Sequence, residues 1–280
     1  MRMHMWTGMA IWIGAMISVA GCGREDTKDG KKPIVQIDKK DNLGKTIQAQ
    51  PASRTKAAPE LSFKEAVILD PAPPGELQPP NLTHTGKSTI AIFEVIANGL
   101  WDKTTIAGAD GKRIKYQAII NTDLGAIHID LRGDVAPNHV RNFVCLAKSG
   151  YYDGMSFYYS LNREVEGTRI AYIESGCPKG TGEDGHGSIG YWLRPEFSDK
   201  LSHEEGVIGA CLRQTPETAA CRFYITAAAM PQMDGEFTAF GKVTKGLDIV
   251  QAINKRPVDM FDRPAQPVTI KSVAIVTVAE

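Results

Sequence analysis

The chain has 280 residues, 42% hydrophobic, 8% aromatic and 23% charged, which is globular composition and excludes collagen-like or wholly low-complexity chains. Lys plus Arg and Asp plus Glu both number 32, so the formal charge is zero and nucleic acid is disfavoured as a partner. The 5 Cys include no CxxC pair and the 6 His are scattered singly, so neither a disulfide-built scaffold nor a metal site is expected.

Residues 6–20 (WTGMAIWIGAMISVA) are almost wholly apolar and follow Arg2. A bilayer span needs about 20 such residues, so this run has instead the length of a signal-peptide core. It ends in Val19-Ala20-Gly21-Cys22, which resembles a bacterial lipobox. The resemblance implies a signal peptide over 1–21, acylation of Cys22, and a membrane-anchored lipoprotein outside the cytoplasm, in the periplasm or on the cell surface. An ordinary signal peptide with an incidental Cys, or an uncleaved anchor, are the alternatives. Residues 23–88 hold 8 of the 16 Pro, 20 charged residues and a single aromatic, Phe63. Such a stretch buries too little apolar surface to offset its ordering entropy, so 22–88 is expected to be a flexible tether. Within it, 62–69 (SFKEAVIL) can form a short helix capped by Ser62. Residues 89–112 are apolar enough to be ordered, packing on a domain edge through Phe93, Val95, Leu100 and Trp101.

The domain proper is expected over 113–280. Residues 114–120 and 126–131 alternate in polarity around the turn signal NTDLG, which predicts a hairpin. Ala136-Pro137 opens a helix with Pro at its first position, and Val140, Phe143, Val144 and Ala147 form its apolar face up to Gly150. Cys145 lies near that face and is expected in the core. Further short strands are predicted at 170–173, 189–193, 206–212, 222–227, 237–243 and 268–278. A second helix runs from Leu247 to about Lys255 and stops before Pro257. About eight strands with two capping helices predict a mainly β fold, a closed antiparallel β-barrel.

An ordered set of short words spans 113–278. It includes Asp123-Leu124-Gly125, Asn142-Phe143, Gly150-Tyr151-Tyr152-Asp153-Gly154, Gly176-Cys177-Pro178-Lys179-Gly180 and Glu196-Phe197. It continues with Phe223-Tyr224-Ile225-Thr226, Met233-Asp234-Gly235, Phe240-Gly241-Lys242-Val243 and Gly246-Leu247-Asp248. In this order the words resemble the cyclophilin-type peptidyl-prolyl isomerases. The resemblance implies a cyclophilin-like barrel and proline-containing polypeptides as partners; the sequence has no Gly-rich P-loop or dinucleotide word, so no cofactor is expected, and a monomer is expected.

The resemblance also assigns site positions. The family's Phe-His-Arg word reads Phe157-Tyr158-Tyr159, so Tyr159 stands where the family has its catalytic Arg. A phenol donates one neutral hydrogen bond and cannot supply a charged fork. The loop after it carries Arg163 and Arg169; either could reach back, Arg163 more readily, and a solvated loop Arg is the ordinary alternative. The peptide-binding positions fall on Phe157, Tyr172, Glu174, Arg222, Tyr224, Gln232, Met233 and Phe237. Of these, Tyr224, Met233 and Phe237 are expected to keep an apolar hole of proline size. Glu174 and Arg222, in a groove that normally carries neutral amides, would either pair with each other or read a charged peptide. Cys211 and Cys221 flank a loop where strand ends meet, so a disulfide and two free thiols are both compatible with their spacing. The functions implied are a peptidyl-prolyl isomerase, at most weak unless Arg163 or Arg169 substitutes, or a non-catalytic proline-peptide binder or scaffold.

Overall fold

The computed structural model describes residues 79–182, 187–212 and 218–278. The leader segment, Cys22, the tether as far as residue 78 and the short helix expected at 62–69 lie outside them. Nine antiparallel strands build the domain: β1 Lys115–Thr122, β2 Gly125–Leu131, β3 Ser156–Phe157, β4 Tyr159–Val165, β5 Thr168–Ser175, β6 Val207–Ala210, β7 Phe223–Thr226, β8 Ala239–Lys245 and β9 Val268–Val278. Their order across the sheet is β3-β9-β1-β2-β8-β6-β7-β5-β4. The two outermost strands are consecutive in sequence. The end of β5 bonds to β3 and to the residue joining β3 to β4: the Tyr158 amide donates to the Glu174 carbonyl at 3.2 Å, and Ser175 Oγ donates to the Ser156 carbonyl at 2.8 Å. The sheet is thereby a nearly closed barrel, the solution that removes exposed edges.

The expected β1–β2 hairpin forms, with Thr122 opposite Gly125 across a two-residue turn. Two strand expectations need correction. Residues 189–193 make only an isolated bridge, Leu193 to Ala219, because Ile189, Tyr191 and Leu193 are buried by core contacts without a neighbouring strand to pair with. The segment after Phe157 is a β4–β5 hairpin rather than a loop. Its tight turn places Glu166 and Gly167 at φ 50° and 76°.

Among the described residues four α-helices accompany the strands: α1 Thr89–Val95, α2 Trp101–Lys103, α3 Pro137–Lys148 and α4 Leu247–Asn254. The α3 face of Val140, Phe143, Val144 and Ala147 is buried, as is Cys145, whose thiol burial pushes up to about 11. Pro137 lacks an N–H and Ala136 has no capping side chain. The Glu196 carboxylate takes over, accepting from the Asn138 and His139 amides at 3.1 and 3.0 Å. α4 lies against β2, β4 and β5. Its last residue, buried Asn254, donates to the Leu161 and Tyr172 carbonyls at 2.7 and 3.1 Å. Among the described residues no helix is long and apolar enough to cross a membrane.

Order begins before residue 89. The segment 79–88 docks on the domain: the His84 amide donates to the Pro178 carbonyl at 2.7 Å, and the Lys87 ammonium reaches the carbonyls of Gly150, Tyr151 and Asp153. These carbonyls follow the C-terminus of α3, where a cation is favoured. Ser88 caps α1 by accepting from the Ala91 amide at 3.2 Å. The chain then turns at Gly99, φ 118°, into α2. Trp101 is wholly buried, and Phe93 and Leu100 pack partly buried on the core, whereas Val95 is 54% exposed and takes no part. The Arg141 guanidinium lies 5.0 Å from the Trp101 ring, and its Nε donates to the Trp101 and Thr104 carbonyls at 3.0 and 2.7 Å. The extension is therefore part of the core. Trp101→Ala should lower the unfolding free energy by about 3–5 kcal/mol, read by urea denaturation of the full chain.

Candidate functional site

Strand alternation selects the site. Tyr159, Glu174, Tyr224 and Gly209 lie in register across β4, β5, β7 and β6 and so face the same way. Leu161, Tyr172, Arg222 and Cys211, two residues along their strands, share that outer face. The intervening residues Ala171, Ile173, Ile208, Ala210, Phe223 and Ile225 fill the barrel interior. The site positions expected on Tyr159, Tyr172, Glu174, Arg222 and Tyr224 are thus brought together. Phe157 is not among them: its ring is in the core, 6.2 Å from Phe223 edge to face. Gln232 is exposed on the short turn Pro231–Met233.

One half of the face is apolar. Leu161, Ile170, Tyr172, Cys211, Tyr224, Met230 and Met233 form one buried cluster, covered by Tyr159, Val165 and Phe237. Of the residues expected to keep a hole, Tyr224 is 0% exposed and Met233 1%, and Phe237 packs partly buried against them; Tyr172 beside them is also 0% exposed. Tyr224 also carries a polar chain beneath the cluster. Its hydroxyl meets His203 Nε2 at 2.7 Å, and His203 Nδ1 meets Asp234 Oδ1 at 2.6 Å. Tyr224 needs glycine opposite it, because a Cβ on Gly209 would lie 2.1 Å from its hydroxyl oxygen.

The other half is charged. Glu174 Oε1 accepts from Arg222 Nε at 2.8 Å, from Arg222 Nη2 and from the Tyr158 hydroxyl. The ion pair is buried, at 7% and 3% side-chain exposure. Burial opposes the charge on Arg222, but the Glu174 carboxylate outweighs it and holds the guanidinium pKa well above its usual value. Of the two alternatives for these residues, the structure shows mutual pairing. Gly182 packs on the Tyr158 ring and Gly187 on the Arg222 stem, roofing the cluster.

Beside Tyr159 stands Asp262, a non-glycine residue at φ 58°. Its carboxylate accepts from the Tyr159 hydroxyl at 3.3 Å and pairs with Arg163. Its carbonyl accepts from the Ser160 amide at 2.9 Å. Burial first, then the Asp262 charge, raises the Tyr159 phenol, which stays protonated. Arg163 is thus engaged at the rim, and Arg169 turns to Asn162 across the hairpin at 3.5 Å. Cys211 and Cys221 are free buried thiols in separate clusters: Cys221 Sγ lies 3.1 Å from the Tyr151 hydroxyl, while Cys211 belongs to the apolar half of the face.

Sequence reasoning missed Tyr158, His203, Asp234 and Asp262. Tyr158 and Asp234 stood within the matched words but were given no role. Asp262 carries no local signal, since it lies 103 residues from Tyr159.

The family model described as cyclophilin type peptidyl-prolyl cis-trans isomerase matches residues 117–275. Peptidyl-prolyl cis-trans isomerase-like 2 of Rhizopus delemar is 30% identical over 207 residues, covering 71% of this chain and 37% of its own. Peptidyl-prolyl cis-trans isomerase ppi1 of Schizosaccharomyces pombe is 36% identical, with 56% of this chain and 97% of its own covered. The chain thus spans little more than a third of the length of the Rhizopus protein. Among solved structures, a Cryptosporidium parvum cyclophilin determined in the presence of the dipeptide Ala-Pro superposes with a TM-score of 0.51 at 26% identity. That superposition covers 57% of this chain and 98% of the other.

The buried imidazole generates a pH prediction. Burial lowers the His203 pKa below 6.5, with Asp234 only partly opposing it. The folded state therefore binds this proton less readily than the unfolded chain. Its contribution to stability is complete above the unfolded value and is lost as pH falls through the lower folded one. The melting temperature should decline between about pH 7 and pH 5, and His203→Gln should remove that part of the decline.

Proposed function

The chain belongs to the cyclophilin-type peptidyl-prolyl isomerase family, and we propose that it engages proline-containing polypeptides outside the cytoplasm as a weak isomerase. The observation that carries this reading is the neutral phenol of Tyr159 where the family places a guanidinium. The barrier to X–Pro rotation is about 18–20 kcal/mol, and a catalyst must bind the twisted amide better than either planar form. A charged donor would strengthen in that state. The Tyr159 phenol already donates to Asp262, Arg163 is paired with Asp262 and Arg222 with Glu174, and Arg169 turns to Asn162. Loss of one such donor typically lowers turnover by about 10²–10³. The wholly buried Tyr172, Tyr224 and Met233 favour a second reading, binding without turnover, because a peptide must first open the cluster.

The extracytoplasmic part of the proposal rests on the apolar run at 6–20 and on Cys22. Acylation there would hold the domain at a membrane through the chain between Cys22 and residue 79.

Cis/trans exchange of an Ala-Pro peptide, followed by NMR with the full chain, tests the activity. Weak acceleration is expected; Tyr159→Arg should raise it by about tenfold or more, and Arg163→Ala should leave it unchanged. Peptide shifts without faster exchange would establish the binding reading, and neither effect would remove both. In a bacterial host, Cys22→Ser should abolish incorporation of labelled palmitate and release the protein from the membrane fraction.

A further inference from the structure

The chain contains 8 tyrosines. Seven of their hydroxyls have hydrogen-bond partners: Tyr116 with the Thr105 carbonyl, Tyr151 with the Gly176 carbonyl, Tyr152 with the Cys221 carbonyl, Tyr158 with Glu174, Tyr159 with Asp262, Tyr191 with Asn142 and Tyr224 with His203. The eighth, Tyr172, is 0% exposed and its hydroxyl is buried without a hydrogen-bond partner. The Tyr159 phenol lies close enough for a weak polar contact that helps to raise the Tyr172 pKa, but the two hydroxyls do not meet full hydrogen-bonding geometry. A buried donor left unmade is a standing penalty, and native structures rarely keep one without a use.

Its place in the fold indicates the use. Tyr172 sits in the middle of the outer face, its ring 5.8 Å from Tyr159 and 6.2 Å from Tyr224. Of the rest of its cluster, Leu161 and Ile170 offer no acceptor, Cys211, Met230 and Met233 offer only weak sulfur ones, and the Tyr224 hydroxyl is engaged with His203. A ligand suited to this spot is compact and apolar, brings one acceptor, and brings no donor of its own that would be stranded there. An X–Pro unit meets all three conditions: an aliphatic ring, a tertiary amide without N–H, and a carbonyl oxygen. Charged or N–H-rich segments do not.

We propose that the Tyr172 hydroxyl is the hydrogen-bond donor that this face offers to the carbonyl of a bound X–Pro peptide, the neutral replacement for a guanidinium that Tyr159 does not provide. The inference rests on the functional reading above. Tyr159 covers Tyr172 from outside and is held there by the 3.3 Å bond to Asp262, so the proposal requires its ring to move aside for a peptide to reach the Tyr172 hydroxyl.

The test uses the full chain with its tyrosines labelled with carbon-13 at Cζ, an Ala-Pro peptide as probe, and the Tyr172→Phe variant. Removing the hydroxyl should leave the melting temperature unchanged or higher, because an unmade bond is deleted. It should weaken peptide binding by about three- to tenfold. In the unmodified chain the Tyr172 Cζ resonance, identified by its loss in the variant, should shift as peptide saturates. A merely structural tyrosine would lower the melting temperature on substitution and leave affinity and resonance unmoved. If the unmodified chain binds and Tyr172→Phe binds equally well, this inference falls while the functional reading stands. If the unmodified chain binds no Ala-Pro peptide at millimolar concentration, both fall.

Discussion

The two-residue period of a closed sheet governs this molecule. Every second residue of β5, β6 and β7 must fill the barrel, and those positions carry Ala171, Ile173, Ile208, Ala210, Phe223 and Ile225. The residues between them face outward and are free of that demand. Tyr172, Glu174, Cys211, Arg222 and Tyr224 all belong to the second set, which is why the chain keeps the barrel of its family while its candidate site departs from the family pattern. A change on the outer face alters chemistry, whereas one on the inner face alters the fold. Phe157 illustrates the division, because it is core and therefore retained.

Charge on the outer face is balanced locally. Burying the Arg222 guanidinium alone would be prohibitive, so Glu174 lies against it and Tyr158 supplies a further donor to the same oxygen. At the rim, Asp262 takes both Tyr159 and Arg163. The region between is left without net charge. That environment suits a ligand whose polarity resides in one amide carbonyl, and it penalises an ionic peptide that would have to shed its hydration. The Arg residues near the site are drawn into the same local pairing: Arg163 meets Asp262, Arg222 meets Glu174, and Arg169 turns to the Asn162 amide.

Much of the fold was legible because its signals are local. Pro137 at a helix start, the alternation in 114–120 and 126–131, and the stop before Pro257 each dictate structure within a few residues, and the elements lie where those signals put them. The errors came where pairing is decided at long range. Residues 189–193 alternate as a strand does, yet only Leu193 finds a bridge partner. In β4, polar residues from Asn162 to Glu164 read as loop, because a strand paired along one edge exposes half its length. The site was legible as residue types at matched positions. It was not legible as partnerships, because His203 with Tyr224 and Asp262 with Tyr159 are made by the register of distant segments.

The closed apolar cluster sets the terms for ligand binding. In a preformed groove, a peptide gains the full transfer energy of its apolar surface. Here Tyr159 and Phe237 already pack over the cluster, so a proline ring bound there would exchange one set of apolar contacts for another, with a small net gain. Such an exchange favours a ligand only through something the resident side chains lack. Tyr159 directs its own hydroxyl proton toward Asp262 and meets the Tyr172 hydroxyl only outside good hydrogen-bonding geometry, which a ligand carbonyl could supply. If the Tyr172 proposal holds, the discriminating energy in this site comes from one hydrogen bond more than from hydrophobic area, and recognition of X–Pro units would be weak but selective.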